Sequence, residues 1–282
     1  MKGSGFWFYT THQQCEWKFY LSKVIRFEPD FIRPALLFGG AGHEALAKLW
    51  KTFDIDEAIE TFVKALEERE PSYQDKGAYI DDLNRGRVLL LEYYKRNHEK
   101  DQKRYEVLAI EEEIDVPVEE FILTVKPDLV VFDKERRMVQ IFEHKFTSYS
   151  IQKSFETVMY GDQGTCYLYA WNRTHPDKHA ETIIPDILYN RKSVYDCQRP
   201  ADVYRRKIDL EQFEIGKAGL IRRITQKIKA LETGDYPPIS LFDRRGDCDG
   251  DGFFTCEFRD ICRTFIEPNK PPYGYHIKEK RT

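Results

Sequence analysis

Alternating and consecutive apolar residues in the middle of the chain predict β-strands. Three strands are expected, over residues 105–116, 124–132 and 138–146. The charged residues 133–137 separate the last two strands and fit a short hairpin turn. A further strand is expected over residues 180–189. Pro185 within it predicts a position near a sheet edge, because proline cannot donate a ladder hydrogen bond.

Apolar residues spaced three and four apart predict helices before and after these strands. A helix is expected to begin near His43, after a glycine-rich stretch, and amphipathic helices should follow over residues 55–70 and 79–98. Later helices are expected over residues 151–171 and 205–232. The residues expected to face inward in the second and third helices are Ala58, Phe62, Ala65, Leu66, Ile80, Leu83, Leu90, Leu91 and Tyr94.

Composition agrees with a folded mixed α/β protein. The chain has 282 residues, of which 41% are hydrophobic and 14% aromatic, so there is ample material for a core. The formal net charge of −4 gives no overall attraction for nucleic acid. Contact with DNA would therefore need a local basic surface. The basic residues within 205–232 are the candidate, although such a run is also typical of a solvated face.

The chain shows no sign of a membrane or secretory setting. It has no run of about 18 apolar residues, and residues 1–10 lack the form of a signal peptide. We therefore expect a cytoplasmic protein with no membrane partner. Its cysteines should then be thiols or metal ligands rather than disulfides.

The cysteines suggest a metal centre. Of the six, Cys248, Cys256 and Cys262 lie within fifteen residues that include glycine-rich turns. With the distant Cys15 they make four thiols, which is a complete set for a tetrahedral zinc ion or a 4Fe–4S cluster. Structural thiols without a metal are the alternative.

The strand over residues 138–146 carries the main candidate chemistry. Since successive side chains of a strand point to opposite faces, Glu143 and Lys145 share one face, at the end of an apolar stripe. A carboxylate and an amine are costly there unless they pair or hold a metal. The hairpin turn can bring Asp128 close to Glu143. The alternative is a solvated hairpin with an ordinary ion pair.

Other residues have both a structural and a chemical interpretation. His43 lies on a buried helical stripe, where it is either a core histidine or a metal ligand. Gln163 and Tyr167 are four residues apart and share a helix face, which Tyr160 and Trp171 should join. Those four can also form an aromatic core stripe. Glu112 falls on the apolar face of the first predicted strand. It is either an additional acid at the site or, as we expect, a residue that lies in solvent at the strand end.

Pro127-Asp128 followed by Glu143-His144-Lys145 resembles the PD-(D/E)xK nuclease superfamily. Four further features resemble its RecB-type branch and the CRISPR-associated iron–sulfur exonucleases: Cys15, Gly39-x-x-x-His43, Gln163-x-x-x-Tyr167 and the terminal cysteines. The usual Cys-x-x-Cys before the last pair is absent, since Cys248 lies eight positions before Cys256.

The resemblance implies a fold. It is a restriction-endonuclease-like central mixed sheet flanked by helices, with an N-terminal helical insertion and an iron–sulfur C-terminal loop. Residues 1–282 would form a single RecB-like nuclease domain. Within it, the helical portion would cover about 43–98, the nuclease core about 105–190, and the basic helix and cysteine-rich tail about 205–265.

The resemblance also implies roles for individual residues. Asp128, Glu143, His43 and the carbonyl of His144 would bind Mn²⁺ or Mg²⁺, and Lys145 would act on the attacking water or the phosphate. Gln163 and Tyr167 would contact DNA and brace the site. The residues expected to hold a 4Fe–4S cluster, with zinc as the alternative, are Cys15, Cys248, Cys256 and Cys262.

The implied activity is that of a metal-dependent DNA exonuclease on single-stranded or frayed ends. It would serve DNA repair, recombination, or phage or CRISPR DNA processing. No Gly-x-x-x-x-Gly-Lys-[Ser/Thr] motif occurs, so a separate helicase or recombination protein is the expected partner. The alternatives are an endonuclease or structure-specific nuclease on the same site, and a non-catalytic iron–sulfur or zinc protein that binds nucleic acid.

Overall fold

The computed structural model describes residues 2–30, 32–118, 121–148, 150–191, 194–233, 242, 256–258, 261–262 and 270–278. The helices are α1 (Gly5–Gln14), α2 (Glu16–Phe19), α3 (Pro34–Thr52), α4 (Ile55–Glu68), α5 (Lys76–Arg104), α6 (Ile151–Tyr160), α7 (Asp162–Thr174) and α8 (Lys207–Glu232). The strands are β1 (Lys2–Ser4), β2 (Phe27–Pro29), β3 (Tyr105–Ile110), β4 (Ile114–Val118), β5 (Phe121–Val125), β6 (Leu129–Asp133), β7 (Met138–Thr147), β8 (Ala180–Arg191), β9 (Val194–Gln198), β10 (Val203–Tyr204) and β11 (Tyr275–Ile277).

The largest sheet has the strand order β10-β8-β7-β6-β3, and β9 also pairs with β8. Strands β7 and β8 are parallel, whereas the other pairs in this sheet are antiparallel. Helix α3 packs on this sheet through Trp50, which joins Tyr105, Leu129 and Phe142 in a buried cluster. The predicted fold class, a mixed α/β protein with a central mixed sheet flanked by helices, is confirmed.

Helix α3 begins earlier than the sequence predicted. It starts at Pro34 rather than near His43 and runs through the glycine-rich stretch. Proline suits the first turn because its fixed φ is already helical and its missing N–H has no partner there. One of the glycines has a packing role, since a Cβ at Gly42 would lie 2.4 Å from the Phe146 ring on β7. The glycine thus allows close approach of α3 to the sheet.

Helix α4 has the predicted inner face, but α5 does not. Ala58, Phe62, Ala65 and Leu66 are all buried as expected. In α5, Leu90 is buried as predicted, but Ile80 and Leu91 are 55% and 38% exposed. The prediction from apolar spacing took no account of Gly86. This residue lies so close to the Phe62 ring that no Cβ would fit. This approach turns a different stripe of α5 inward, in which Leu89 and Tyr93 are buried.

The strand predicted over residues 105–116 is two strands. Strand β3 ends at Ile110, and Glu111 takes a left-handed conformation with φ 50° before β4 begins at Ile114. The strand predicted over 124–132 is also divided, because β5 ends at Val125 and β6 begins at Leu129. Both breaks fall at short polar runs, residues 111–113 and 126–128, which the prediction had included within its strands.

Pro185 was predicted to lie near a sheet edge, and β8 is second in the strand order of the large sheet, next to the short terminal strand β10. Strand β8 lies inside the sheet, with β7 on one side and β9 and β10 on the other. Strand β10 pairs with Thr182 and Ile183, and β9 pairs with residues 187–191. Pro185 therefore lies where the described pairings leave β8 without a partner on that side. Proline is tolerated where no partner strand requires its N–H.

The helix predicted over residues 151–171 is broken at Gly161. This residue has φ −76° and ψ 154° and caps the N-terminus of α7. A Cβ at Gly161 would lie 2.3 Å from the Thr157 carbonyl oxygen, so the tight break depends on glycine. Tyr160 consequently lies on α6 and is 78% exposed, which corrects its predicted place beside Gln163. Trp171, by contrast, is buried.

The chain divides into two compact units. One comprises Ile32–Val116 and Thr124–Glu214 and contains the large sheet; the other comprises Met1–Phe31, Pro117–Leu123 and Ile215–Thr282. In the second unit, β2 and β11 form an antiparallel pair, and Phe8 contacts the rings of Phe19 and Phe121 at 4.9 and 4.8 Å. None of the helices in the described part of the chain combines the length and apolar character needed to cross a membrane.

Two glycine-to-alanine changes should have opposite effects on stability. A Cβ at Gly86 would lie 2.0 Å from Cζ of the fully buried Phe62, so Gly86→Ala should lower the free energy of unfolding, by about 1–3 kcal/mol as overpacking does. Gly39→Ala meets no atom within 4 Å, so it should raise that free energy by up to about 1 kcal/mol through helix propensity. Urea denaturation measures both, and stabilisation by both changes would contradict this packing.

Candidate active site

The hairpin of β6 and β7 brings the three motif residues together. Leu129 of β6 pairs with Phe142 of β7, so Asp128 lies level with the residues that follow Phe142. The Oδ2 atom of Asp128 accepts a hydrogen bond of 2.7 Å from the backbone N–H of His144. Asp128 is 7% exposed. The carboxylate is therefore fixed beside Glu143 by a bond between the two arms of the hairpin.

Glu143 is a buried carboxylate with one charged partner. It is 1% exposed and forms an ion pair with Lys145 through Oε1. Its Oε2 accepts no hydrogen bond from the described residues. Burial raises the pKa of Glu143 to about 7, with Lys145 opposing the rise and Asp128 adding to it. A second cation near Oε2 would stabilise the ionised form.

Lys145 links the strand to helix α7. Its Nζ donates to Gln163 Oε1 at 2.9 Å, and Gln163 Nε2 donates to the Tyr167 hydroxyl at 2.8 Å. Gln163 is half-buried, whereas Tyr167 is only 7% exposed. The predicted helix pair therefore shares a face and holds the lysine ammonium in place.

His43 reaches the same site from α3. Its Nδ1 lies 3.4 Å from Asp128 Oδ1 and 3.6 Å from Glu111 Oε1. Burial alone would lower the pKa of His43, but Asp128 and Glu111 together raise it to about 10. For Asp128, burial alone would raise the pKa of the carboxyl group. The neighbouring His43 contributes most to holding that pKa below its ordinary value. In the metal-free site, the proton on His43 thus offsets the negative charge of the Asp128 and Glu111 carboxylates.

Glu111 is a site residue that sequence reasoning missed. The sequence pointed to Glu112 as the possible extra acid, and that residue is exposed as expected. Glu111 instead turns inward at the end of β3, where its backbone N–H donates to the Asp128 carbonyl oxygen at 3.1 Å. Its carboxylate contacts Lys126 at 2.6 Å. The run of three glutamates between two apolar strands was a signal that the strand is interrupted here.

The residues present fit a divalent cation. One ligand atom from each of His43, Glu111 and Asp128 lies within 4.8 Å of the others, which is close enough for one ion to touch all three. Carboxylate oxygens suit Mg²⁺ and Mn²⁺, and the imidazole nitrogen favours Mn²⁺. Glu143 is not part of this group, but its buried Oε2 accepts no hydrogen bond from the described residues.

The His144 ring lies with its centroid 6.4 Å from that of His43, but it is not part of the group of candidate ligands. The ring is buried, and its Nδ1 lies 3.1 Å from Asp186 Oδ2. The side chains of Glu143 and Lys145 point to the other face of β7, as the alternation of a strand requires. Any contribution of His144 to a metal would therefore come from its backbone carbonyl, which is the group that the family resemblance implied.

The predicted cluster cysteines are described only in part. Cys15 is half-buried, and its Sγ accepts from the Lys18 backbone N–H at 3.4 Å, capping α2. Cys256 is half-buried and Cys262 is buried. Cys248 lies outside the described residues. The iron–sulfur loop of the predicted fold thus stays a prediction.

The comparison with protein families supports the chemistry of this site. A family model of the PD-(D/E)XK nuclease superfamily matches residues 9–263. The chain belongs to the PD-(D/E)XK nuclease superfamily. It is thus a metal-dependent nuclease, and the cluster of His43, Glu111 and Asp128 is a group that could hold a metal ion. No curated protein matches the chain.

Glu111→Gln should weaken Mn²⁺ binding by the metal-free protein by about tenfold or more. That is the lower end of the loss seen for groups that only support a ligand, and Glu111 itself faces His43 and Asp128. Electron paramagnetic resonance titration of Mn²⁺ measures the affinity. Glu112→Gln, at the exposed neighbour, is the matched control and should bind as the parent does. Equal affinities for both variants would remove Glu111 from the metal site.

Proposed function

We propose that this PD-(D/E)XK nuclease is a DNA exonuclease that acts on single-stranded or frayed ends. The observation that carries the nuclease reaction is the grouping of Asp128, Glu143 and Lys145 at the end of one hairpin, with His43 beside them. The preference for DNA ends rests on the resemblance of Gly39–His43 and Gln163–Tyr167 to RecB-type nucleases. We propose His43, Glu111, Asp128 and Glu143 as the metal-binding side chains, with the carbonyl of His144.

Each motif residue has a distinct part in phosphodiester hydrolysis. A bound Mg²⁺ or Mn²⁺ ion would lower the pKa of the attacking water and neutralise charge that develops on the phosphate. Lys145 presents a cation that is held by Glu143 and Gln163 and so needs no rearrangement when negative charge develops. Asp128 keeps Oδ1 directed at His43 because Oδ2 is bound to the backbone of β7.

Gln163 and Tyr167 divide the roles of contact and support. Tyr167 is buried, and its hydroxyl accepts from Gln163, so it fixes the amide orientation. Gln163 is the more exposed of the two, and we propose that it is the one that reaches the DNA strand. In this scheme Tyr167 contributes to DNA binding only through Gln163.

We further propose that Cys15, Cys248, Cys256 and Cys262 hold a 4Fe–4S cluster, with zinc as the alternative. Lys18, three residues after Cys15, lies 3.4 Å from Glu257, which directly follows Cys256. The antiparallel pair of β2 and β11 also joins the N-terminal and C-terminal parts of this unit. Both contacts favour a metal that joins the two ends of the chain.

The remaining predictions concern organisation, setting and partners. We propose that residues 1–282 act as one nuclease domain in the cytoplasm and that a separate helicase or recombination protein supplies strand separation. Of the basic residues on α8, Lys227 pairs with Glu16 and Lys217 lies 4.4 Å over the Tyr9 ring. We therefore propose that the other basic residues of α8 are the ones that contact phosphate.

Lys145→Met should abolish most cleavage while leaving the fold intact. The change keeps the volume of the side chain but removes the charge beside the phosphate, and loss of one such donor costs on the order of 10²–10³ in rate. Cleavage of end-labelled DNA, with Mn²⁺ and with EDTA, measures it. Lys134→Ala, in the exposed turn after β6, is the control and should cut as the parent does. Full activity of Lys145→Met would contradict the proposed role.

Circular single-stranded DNA separates the exonuclease from the runner-up endonuclease. A circle has no ends, so the proposed exonuclease should degrade the linear strand and leave the circle intact. Cleavage of the circle at a comparable rate would favour an endonuclease on the same site. Binding of both substrates without cleavage in Mn²⁺ would favour the non-catalytic protein.

Protein purified without oxygen should be brown and contain about four irons, as a 4Fe–4S protein does. Cys256→Ala should lose the metal and part of its stability, because cluster binding is coupled to folding. Cys197→Ala is the control, since Cys197 lies in β9, where burial raises its thiol pKa to about 12. Iron and zinc analysis decides between the metals, and metal-free folded parent protein would contradict both.

A further inference from the structure

The face of β7 that carries His144 lies against a buried network of charged and polar side chains. The Arg199 guanidinium donates to both carboxylate oxygens of Asp101 at 2.7 and 2.8 Å. It also donates to the two oxygens of Asp186 at 3.1 and 3.2 Å. The Tyr93 hydroxyl donates to Asp186 Oδ2 at 2.8 Å and accepts from Arg199 at 2.9 Å. One arginine thus fixes two carboxylates that are 8% and 1% exposed.

His144 connects this network to the catalytic face. Asp186 Oδ2 lies 3.1 Å from Nδ1 of His144, and the backbone N–H of His144 donates to Asp128 Oδ2 at 2.7 Å. The ring and the N–H belong to the same residue, so restraining the ring on one face restrains the peptide that holds Asp128 on the other. The orientation of Asp128 Oδ1 toward His43 depends on that bond.

The two residues of this contact lie on neighbouring strands at the same level. In the parallel pairing of β7 and β8, His144 is the register partner of Asp186. The side-chain contact between Asp186 and His144 therefore adds a side-chain link between two strands that are already paired, and it fixes the ring as well as the backbone.

We propose that Asp186 and Arg199 are positioning residues of the nuclease, which act through His144 to hold Asp128 in its metal-binding orientation. The proposal rests on the proposed function and deepens it. Supporting groups of this kind orient ligands without touching the metal, and their loss typically costs about 10–100-fold in metal affinity or activity. A network that serves only stability would affect folding and leave the site unchanged.

The chain contains a second buried aspartate with a tyrosine and an arginine partner, which provides a matched control. Asp82 is 1% exposed, accepts from the Tyr73 hydroxyl at 2.7 Å and forms an ion pair with Arg85. Its partners are thus a tyrosine and an arginine, which Asp186 also has, but it lacks the histidine partner of Asp186. The contacts described for Asp82 lie between α5 and the turn after α4, with none to a motif residue.

The test compares Asp186→Asn with Asp82→Asn. Both remove a buried charge, so both should lower the melting temperature. Only Asp186→Asn should weaken Mn²⁺ binding by the metal-free protein and lower kcat at saturating Mn²⁺, each by about 10–100-fold, with KM for DNA unchanged. Paramagnetic resonance of Mn²⁺ and cleavage per folded molecule measure these effects. Matching affinity and kcat in the two variants would overturn the proposal.

A milder pair keeps the test decisive if Asp186→Asn does not fold. Tyr93→Phe removes only the hydroxyl that donates to Asp186, and Tyr73→Phe removes only the one that donates to Asp82. Tyr93→Phe should weaken Mn²⁺ binding and Tyr73→Phe should not; equal affinities would overturn the proposal. A parent that binds Mn²⁺ but cleaves no DNA would overturn only the proposed function, because the Mn²⁺ affinities would still decide the role of Asp186.

Discussion

The cost of burying the Glu143 carboxylate is the constraint on which the site depends. A carboxylate that is 1% exposed loses its hydration, and here burial raises its pKa to about 7. Lys145 offsets this cost on one oxygen, while the other oxygen has no hydrogen-bond donor among the described residues. Such an arrangement is unfavourable for stability alone, but it is what a site requires if a divalent cation completes it.

The neighbouring elements all serve to hold that buried charge and its partners. The hairpin of β6 and β7 fixes Asp128 by a backbone bond, and α7 fixes Lys145 through Gln163. Helix α3 can bring His43 to the same place because Gly42 allows it to pack against the Phe146 ring. Three separate elements thus position the donors, which makes the geometry rigid before any substrate binds.

Glu111 has an unusual backbone conformation beside the site, with a positive φ of 50° although it is not glycine. Strained backbone persists only where the surrounding structure holds it. Here the Glu111 N–H donates to the Asp128 carbonyl, so the strained residue is bonded to a candidate metal ligand. On the other face of β7, the contact of Asp186 with His144 joins neighbouring strands next to Asp128's bond to the His144 N–H.

The sequence by itself determined the features that depend on local periodicity. These were the hairpin, the common face of Glu143 and Lys145, the inner face of α4 and the pairing of Gln163 with Tyr167. Only the tertiary structure decided the contribution of Glu111, the inner face of α5 and the interior position of β8. The reason is physical: side-chain periodicity shows which side of an element is apolar, whereas contacts between distant segments decide what that side faces and where the backbone must turn.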